Sequence, residues 1–457
     1  DETTFDLLCR GDTEGVFQVE SSGMTDLVIK VAPRGFRDII SLVALYRPGP
    51  LQSGMVDDFV NRKAGLTPIT PIHPSIAHLT EETLGVIIYQ DQVLQIAQCM
   101  AGYSLGEADL LRRAMGKKKI EEMNLQRERF VDGCLRNKIA KEEAGSVFDL
   151  ITEFAGYGFP KAHSAAYAYL TYQTAYLKAN HRAEYLAATL TIESTNHDKM
   201  SRYIGHVRDS GLEIVPPDVN LSIQDFSVVE GKIRFGFGGI KNLGAGAIGS
   251  IIESRETEGA FESLFDFARR VDARKVNRRG LEALARGGAF DSLHENRASV
   301  WASIDSALVW AASEQRDRAV GQESLFGDLN GGQGVDAPDL LKVAEWNDRE
   351  RLSFEKELLG FYVSGHPLGE VHEELKRYTD CTAGRVEGRE GREVRIGGLL
   401  TAMRETRTKR GKRMAFATLE DLEGSFELVI FSEPYESHVE LLRDAITGPE
   451  GEGPTPL

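Results

Sequence analysis

Cationic side chains gather most densely in Gly102–Lys119, GYSLGEADLLRRAMGKKK. Leu105, Ala108, Leu111 and Met115 recur at helical spacing and form one apolar stripe, so Arg112, Arg113 and the run Lys117 to Lys119 project as a charged cluster. Fixed guanidinium and ammonium groups are what a triphosphate or a nucleic-acid backbone requires. Taken alone, the same pattern also describes a solvated helix face. Phe154–Tyr176, FAGYGFPKAHSAAYAYLTYQTAY, sets small residues and close aromatics, Tyr167 among them, around Lys161 and His163. Such a segment lets a base and a sugar lie against the backbone with a ring beneath. It fits a tightly packed helix with aromatic core residues equally well. In Ala44–Met55, ALYRPGPLQSGM, Arg47 precedes Pro-Gly-Pro, which reads as a rigid turn and, alternatively, as a DNA contact.

Two glycine-turned helical pairs follow. GIKNLGAGAIGSIIESR (Gly239–Arg255) places Gly244-x-Gly246 just ahead of a helix, where backbone N–H groups can point at a phosphate. KVNRRGLEALARGGAFDSL (Lys275–Leu293) is its partner in pattern, and Lys241, Lys275, Arg278 and Arg279 supply positive charge beside the turns. Contacts of this kind read a phosphate backbone rather than a base sequence. Further on, QESLF (Gln322–Phe326) puts the apolar pair Leu325 and Phe326 inside a polar stretch, an exposure that points to a partner pocket. Near the end, Arg404, Arg407, Lys409, Arg410, Lys412 and Arg413 make a basic hairpin around Arg410-Gly411, which is also readable as a solvated turn.

The elements that must hold these residues fall into a clear order. Residues 1 to about 195 read as mostly helical, with helical spacing through Ile87–Ala97, Ala108–Met115, Phe148–Phe154 and Ala166–Leu177. Proline punctuation at Tyr46–Pro50 and Pro68–Pro74 divides these helices. From about 196 to 300 a smaller unit has a short strand, Lys232–Phe237, and the glycine-turned pairs. Residues 313–340 shift to Gln, Gly, Asp and Ser and read as a surface loop or linker. A charged helix covers Asp348–Leu359, and alternation over Val394–Leu400, Met414–Leu419 and Phe426–Phe431 predicts strands. The glycine- and proline-rich Thr447–Leu457 reads as disordered.

Composition bounds the rest. The 457 residues, 41% hydrophobic and 27% charged, suit a soluble chain of two to four domains. No apolar run approaches the roughly 18–20 residues of a membrane span, and no signal segment opens the chain. Asp1 in place of Met leads to the expectation that the chain is cut from a longer one. Cys9, Cys99, Cys134 and Cys381 form no C-x-x-C pair and read as reduced, buried thiols of a cytoplasmic protein. A net charge of -16 argues against a surface coated in positive charge, so any polyanion must be met by local basic patches.

In this order, the Gly102–Lys119, Phe154–Tyr176 and Ala44–Met55 segments resemble the fingers region of the C-family bacterial replicative polymerases, the alpha subunit of DNA polymerase III. GDTEGVFQVESSGM (Gly11–Met24), GVIIYQDQVLQIAQ (Gly85–Gln98) and KANHRAEYLAA (Lys178–Ala188) extend the likeness over nearly the whole chain. The resemblance implies a mainly helical α+β protein. Its parts would be a fingers region (1–195), a tandem helix-hairpin-helix unit (196–300), a linker with a sliding-clamp motif (301–345), a helical connector (346–385), a partial OB-fold barrel (386–445) and a disordered tail (446–457). It implies that Arg112 and Arg113 face the incoming dNTP and that His163 lies near its sugar, with Lys117, Lys161 and Tyr167 also in the nucleotide-binding set. Arg47, Lys241, Gly244, Gly246, Lys275, Arg278, Arg279, Lys409, Arg410 and Lys412 would hold the DNA primer-template. Gln322, Leu325 and Phe326 would hold the sliding clamp (beta subunit), and other DNA polymerase III holoenzyme subunits are implied partners. Departures at Leu51, Asp91, Pro160 and Ala162 include two that border the sugar contact. Synthesis would need Mg2+ on an Asp-x-Asp pair and a third Asp, and no Asp-x-Asp occurs in this chain. The sequence is therefore read as a non-catalytic segment of a DNA-directed DNA polymerase, inactive alone. The alternative is a non-catalytic DNA- and clamp-binding protein.

Overall fold

A computed structural model describes residues 1–117, 120–154, 158–194, 196–319, 337–369, 371–422 and 424–447. The chain is mainly helical with two small sheets, and it divides into two compact units, Asp1–Arg182 and Ala183–Leu457. Among the described residues no helix is long and apolar enough to cross a membrane.

The first unit has two cores. One is built around the 20-residue Lys161–Asn180 helix, which begins directly after Pro160. Its inner face carries Ser164, Ala168, Thr171, Ala175 and Lys178. Four of these side chains are small, so the helix packs closely against Phe36–Leu45 and Glu2–Cys9. The fifth is a lysine with no solvent exposure. Its Nζ donates to the carbonyls of Asp12 (3.0 Å) and Glu14 (2.6 Å) and lies 2.7 Å from the Asp12 carboxylate. Burial pulls its pKa below the ordinary lysine value, with Asp12 opposing. The Gly11–Gly15 loop is thereby fastened to the helix. Arg182 shares the same Asp12 carboxylate.

The second core joins the Gln90–Ala101, Leu105–Lys117, Ile120–Arg136 and Lys141–Phe154 helices through Ile96, Met100, Leu111, Phe130, Phe148 and Ile151. Gly133 makes one crossing close: a Cβ there would lie 2.2 Å from the carbonyl oxygen of Ala101. The first of these helices starts at Gln90, three residues later than the periodicity predicts. Gln92 explains the difference, since its Oε1 accepts from the N–H groups of Ile88 (2.8 Å) and Tyr89 (2.9 Å) and so caps the helix there.

In the second unit, β1 (Ile214–Val215), β2 (Ser227–Val229) and β3 (Lys232–Arg234) form a sheet ordered β1-β3-β2. The predicted strand over Lys232–Phe237 thus stops at Arg234 and gives way to a 3-10 turn, Phe237–Gly239. Gly236 lies too close to the Asp225 carbonyl, 2.4–2.6 Å from a notional Cβ, for any larger residue. The helices Ala245–Glu258, Leu264–Arg270, Arg278–Arg286, Ile304–Ala319 and Asp348–Leu359 share one core with this sheet. The predicted loop over 313–340 therefore begins later than its polarity suggests. Glu, Gln, Arg and Ala are good helix formers, and they carry the helix to Ala319.

A second sheet, β4 (Leu399–Arg407), β5 (Arg413–Glu420) and β6 (Ser425–Ile430), is an antiparallel meander that does not close into a barrel. The predicted strand over Val394–Leu400 is displaced: β4 begins at Leu399, after Gly398, where a Cβ would meet the Glu420 carbonyl at 2.6 Å. The Ser432–Thr447 helix, which the alternation pattern does not announce, buries Tyr435 and Ala445 and packs on β4 and β5. The predicted tail lies outside the described residues from 448 onward. Cys134 and Cys381 are buried as expected; Cys9 is half-buried and Cys99 is exposed, and all four are free.

Candidate nucleotide and nucleic-acid site

Arg112 and Arg113 share one helix and one counter-ion. Asp109 offers one carboxylate oxygen to each: Oδ1 accepts from Nε of Arg112 at 2.9 Å, and Oδ2 lies 2.8 Å from Nε of Arg113. Bonds from Arg112 come first among the causes that hold the Asp109 carboxyl below its usual range. Arg113 remains 64% exposed, so its remaining N–H donors face solvent. Lys117 ends the same helix. At the helix start Glu107 accepts from the N–H of Ser104 (2.8 Å) and pairs with Arg129 of the following helix, which fixes the orientation of the arginine-bearing face.

His163 occupies the first turn of the Lys161–Asn180 helix, with its side chain exposed. The edge of one ring and the face of another bracket it. Phe159 stands at 4.9 Å and 88°, and Tyr167 stacks at 4.3 Å and 29°. Tyr167 continues to Phe17 at 5.5 Å, and the Arg47 guanidinium lies over Phe159, 3.3 Å from the ring centre. Burial lowers the Arg47 pKa from the ordinary arginine value. The Pro-Gly-Pro after it is not the predicted turn but the start of a short helix, Pro48–Gln52. Proline fits the first helical position because its missing N–H would have no partner there.

Lys161 does not join this column. Its Nζ donates to Glu82 at 2.6 Å, and its N–H donates to Asp91 at 2.9 Å. It borders a cavity of about 560 Å³ that Arg37, Glu82, Tyr89, Asp91 and Gln95 also line. Among the described residues no hydrogen bond, ion pair or ring contact joins Arg112 or Arg113 to His163.

In the second unit Gly244 caps the Ala245–Glu258 helix, and Gly246 sits within its first turn rather than ahead of it. Both are exposed, with open space where a side chain would stand. The partner helix Arg278–Arg286 starts nearby, since a Cβ on Gly280 would touch Leu243 at 3.6 Å. Lys241, Lys275 and Arg279 are exposed and form no ion pair among the described residues, whereas Arg278 is held by Glu282 and Asp305, each at 2.9 Å. On the β4–β5 hairpin, Gly411 adopts φ +80° and closes the predicted turn, leaving Lys409, Arg410 and Lys412 exposed and without an ion pair among the described residues. Arg413 and Arg443 instead grip Glu405, at 2.9 and 2.5 Å. Gln322, Leu325 and Phe326 lie outside the described residues, as does the side chain of Lys117.

Residues 1–138 match the bacterial DNA polymerase III alpha subunit finger domain, and residues 211–300 match a helix-hairpin-helix motif. The chain is similar to DNA polymerase III subunit alpha of Vibrio cholerae, 43% identical over 97% of this chain and 39% of the relative. It is similar to the Pseudomonas aeruginosa subunit at 44% over 99% and 40%. The Escherichia coli K12 subunit gives 43% over 97% and 39%. Over these segments the chain belongs to the bacterial DNA polymerase III alpha-subunit family. It spans about two fifths of the length of the relatives it matches.

Within that family segment, sequence reasoning missed three neighbours of the site residues. Asp109 stands three and four residues before the arginines, a helical spacing that was available as a signal. Phe159 stands one turn before His163, also legible in principle. Phe17 reaches Tyr167 across 150 positions, and no local pattern announces it.

Proposed function

We propose that the chain is the nucleotide-, DNA- and clamp-holding part of a template-directed DNA polymerase that copies the chromosome from dNTPs. Its similarity to alpha subunits along 97% of its length, motif segments included, carries the reading. Arg112 and Arg113 orient the triphosphate, with Lys117 and Lys161 in the same nucleotide-holding set, and His163 packs the sugar with Tyr167 stacked on its imidazole. The open N-terminus at Gly244 and Gly246 grips duplex phosphates together with Lys241, Lys275, Arg278 and Arg279. Arg47 stands at the DNA side of the nucleotide pocket. Lys409, Arg410 and Lys412 follow the template strand on a three-stranded sheet that serves as part of an OB-fold. Gln322, Leu325 and Phe326 tether the enzyme to the sliding clamp, and tethering of this kind gives an effective concentration on the order of mM. The domain division at 195, 300, 345, 385 and 445, the cytoplasmic setting and the holoenzyme partners belong to the same reading.

Nucleotidyl transfer in such an enzyme uses divalent metal, Mg2+ in this reading. Among the described residues no group of three or more His, Cys, Asp or Glu side chains converges to hold a metal ion. With no Asp-x-Asp pair in its sequence, the chain by itself is expected to extend no primer. Each arginine–phosphate hydrogen bond contributes about 1.5–3 kcal/mol. Replacing Arg112 and Arg113 with Ala, in the polymerase that carries this chain, should thus raise the KM for dNTP at least about tenfold. Steady-state primer extension measures this, and an unchanged KM rejects the assignment.

A further inference from the structure

We infer that Phe159 and Tyr167 are positioning residues that fix the His163 imidazole in one orientation, and that this clamp sets how strongly the site separates deoxyribose from ribose. The inference rests on the reading of His163 as the residue beside the sugar. Its own support is geometric. An exposed histidine on a helix surface ordinarily samples several rotamers, but this ring touches two aromatic rings, one at 4.9 Å and 88° and one stacked at 4.3 Å. Both neighbours are themselves held. Phe159 is pinned through its backbone, because its carbonyl accepts from the N–H of Gln90 at 3.0 Å and Gly158 next to it accepts from the Gln90 amide at 2.8 Å. No side chain fits at Gly158, where a Cβ would lie 2.6 Å from Phe154. Its ring carries the Arg47 guanidinium at 3.3 Å. Tyr167 is backed by Phe17, whose N–H donates to Thr174 Oγ1 at 3.1 Å. Two rings therefore contact the imidazole, each backed from a distant stretch of chain, Phe159 by Arg47 and Tyr167 by Phe17, while the buried face of the helix lies on Ser164, Ala168 and Thr171.

A single added hydroxyl is rejected sterically only if the group it meets cannot swing away. A clamped ring meets that condition, and a free one does not. The tyrosine contributes its face, since no hydrogen bond from its hydroxyl exists among the described residues.

The test uses the polymerase carrying this chain and reads the ratio of kcat/KM for dNTP to that for the matching rNTP. Tyr167→Leu should lower this ratio by on the order of tenfold, the scale of one aromatic contact. Tyr167→Phe should retain it. Tyr167→Leu added to His163→Ala should cost nothing beyond His163→Ala alone. In the chain itself, the imidazole proton signals of His163 should lose their ring-current shift in Tyr167→Leu and keep it in Tyr167→Phe. Phe17→Leu, which removes only the backing ring, should give a smaller drop in the ratio and serves if Tyr167→Leu does not fold. An unchanged ratio in Tyr167→Leu, or an additive double variant, overturns the clamp while leaving His163 beside the sugar. An unchanged ratio in His163→Ala overturns the sugar reading and the clamp with it.

Discussion

Glu355 offers the sharpest test of how the second unit is held together. It is fully buried on the Asp348–Leu359 helix, and its Oε1 accepts from Nη1 of Arg297 at 2.9 Å. Its Oε2 accepts from the N–H groups of Val363 (2.8 Å) and Ser364 (2.9 Å). Arg297, 5% exposed, turns its other edge to Asp291, with Nη2 at 2.6 Å. Burial works against the guanidinium charge, yet the bonds and fields of Asp291 and Glu355 outweigh it and hold Arg297 above the ordinary arginine value. Glu355→Ala removes one buried charge, orphans two backbone donors and leaves Arg297 half-paired. Breaking a buried pair in this way costs about 3–5 kcal/mol. At roughly 2–4 °C per kcal/mol for a unit of this size, the melting temperature should fall by about 10 °C. Glu355→Gln should fall by an intermediate amount. If its Oε1 keeps Arg297, its amide N–H groups face the donors of Val363 and Ser364. Scanning calorimetry on the chain reads both variants. A shift below about 2 °C in Glu355→Ala would refute the argument that the 348–364 segment is locked to the helix-hairpin-helix core through this network.

Three further outcomes follow from other groups. Lys178→Met should destabilise the first unit by about 3 kcal/mol, because it breaks a buried ion pair, orphans two carbonyls and leaves the Asp12 carboxylate without its lysine. A denaturant midpoint equal to that of the unaltered chain would contradict it. Glu405 is pushed down to about 2 by Arg443, Tyr435 and Arg413, from an ordinary value of 4.5. Its folded pKa lies below its unfolded one, so its contribution is complete above about pH 4.5 and disappears as pH falls toward 2. Thermal scans should show the loss of stability across that window shrinking in Glu405→Gln, and an unaltered profile would count against the pairing. Replacing Lys409, Arg410 and Lys412 with Ala should flatten the salt dependence of oligothymidine binding, with the log–log slope falling by about 2. Fluorescence titration between low and moderate salt measures the slope, and equal slopes would remove the hairpin from the DNA path.

Local chemistry made some elements readable and left others hidden. The Asp348–Leu359 helix agrees with the sequence at both ends because its signals are local. Asn347 and Glu350 cap each other's N–H groups, and Gly360 ends the helix at φ +89°. The stripe beneath Arg112 and Arg113 was legible only in part: Ala108 and Leu111 recur at helical spacing and are fully buried, whereas Leu105, which the same spacing assigns to the stripe, is 68% exposed. What the sequence concealed depends on distant partners. Lys178 and Glu355 look like solvent-facing charges until the loop 166 positions away and the arginine 58 positions away arrive. The true start of β4 likewise depends on the approach of Glu420 to Gly398, which no alternation pattern encodes.

The cations of the candidate site divide into two kinds, and the division resolves the conflict between a net charge of -16 and a polyanionic partner. Arg112, Arg113, Lys161 and Arg278 each carry a carboxylate already: Asp109 for the first two, Glu82 for the third, Glu282 and Asp305 for the last. At Arg112, Arg113 and Lys161 a ligand must compete with or share that fixed negative charge, so a dense anion such as a triphosphate is favoured over a single backbone phosphate, and at Arg278 the same pairing weakens a duplex-phosphate contact. Lys241, Arg279, Lys409, Arg410 and Lys412 form no such ion pair among the described residues, and Lys275 feels only the neighbouring Asp272 charge without a close pair. Their counter-ions are mobile salt, and release of those ions is what drives sequence-independent binding along a nucleic-acid backbone. In the proposed reading, an acidic chain holds DNA at two local patches, and Arg112 and Arg113 stay masked by Asp109 until a sufficiently charged ligand arrives.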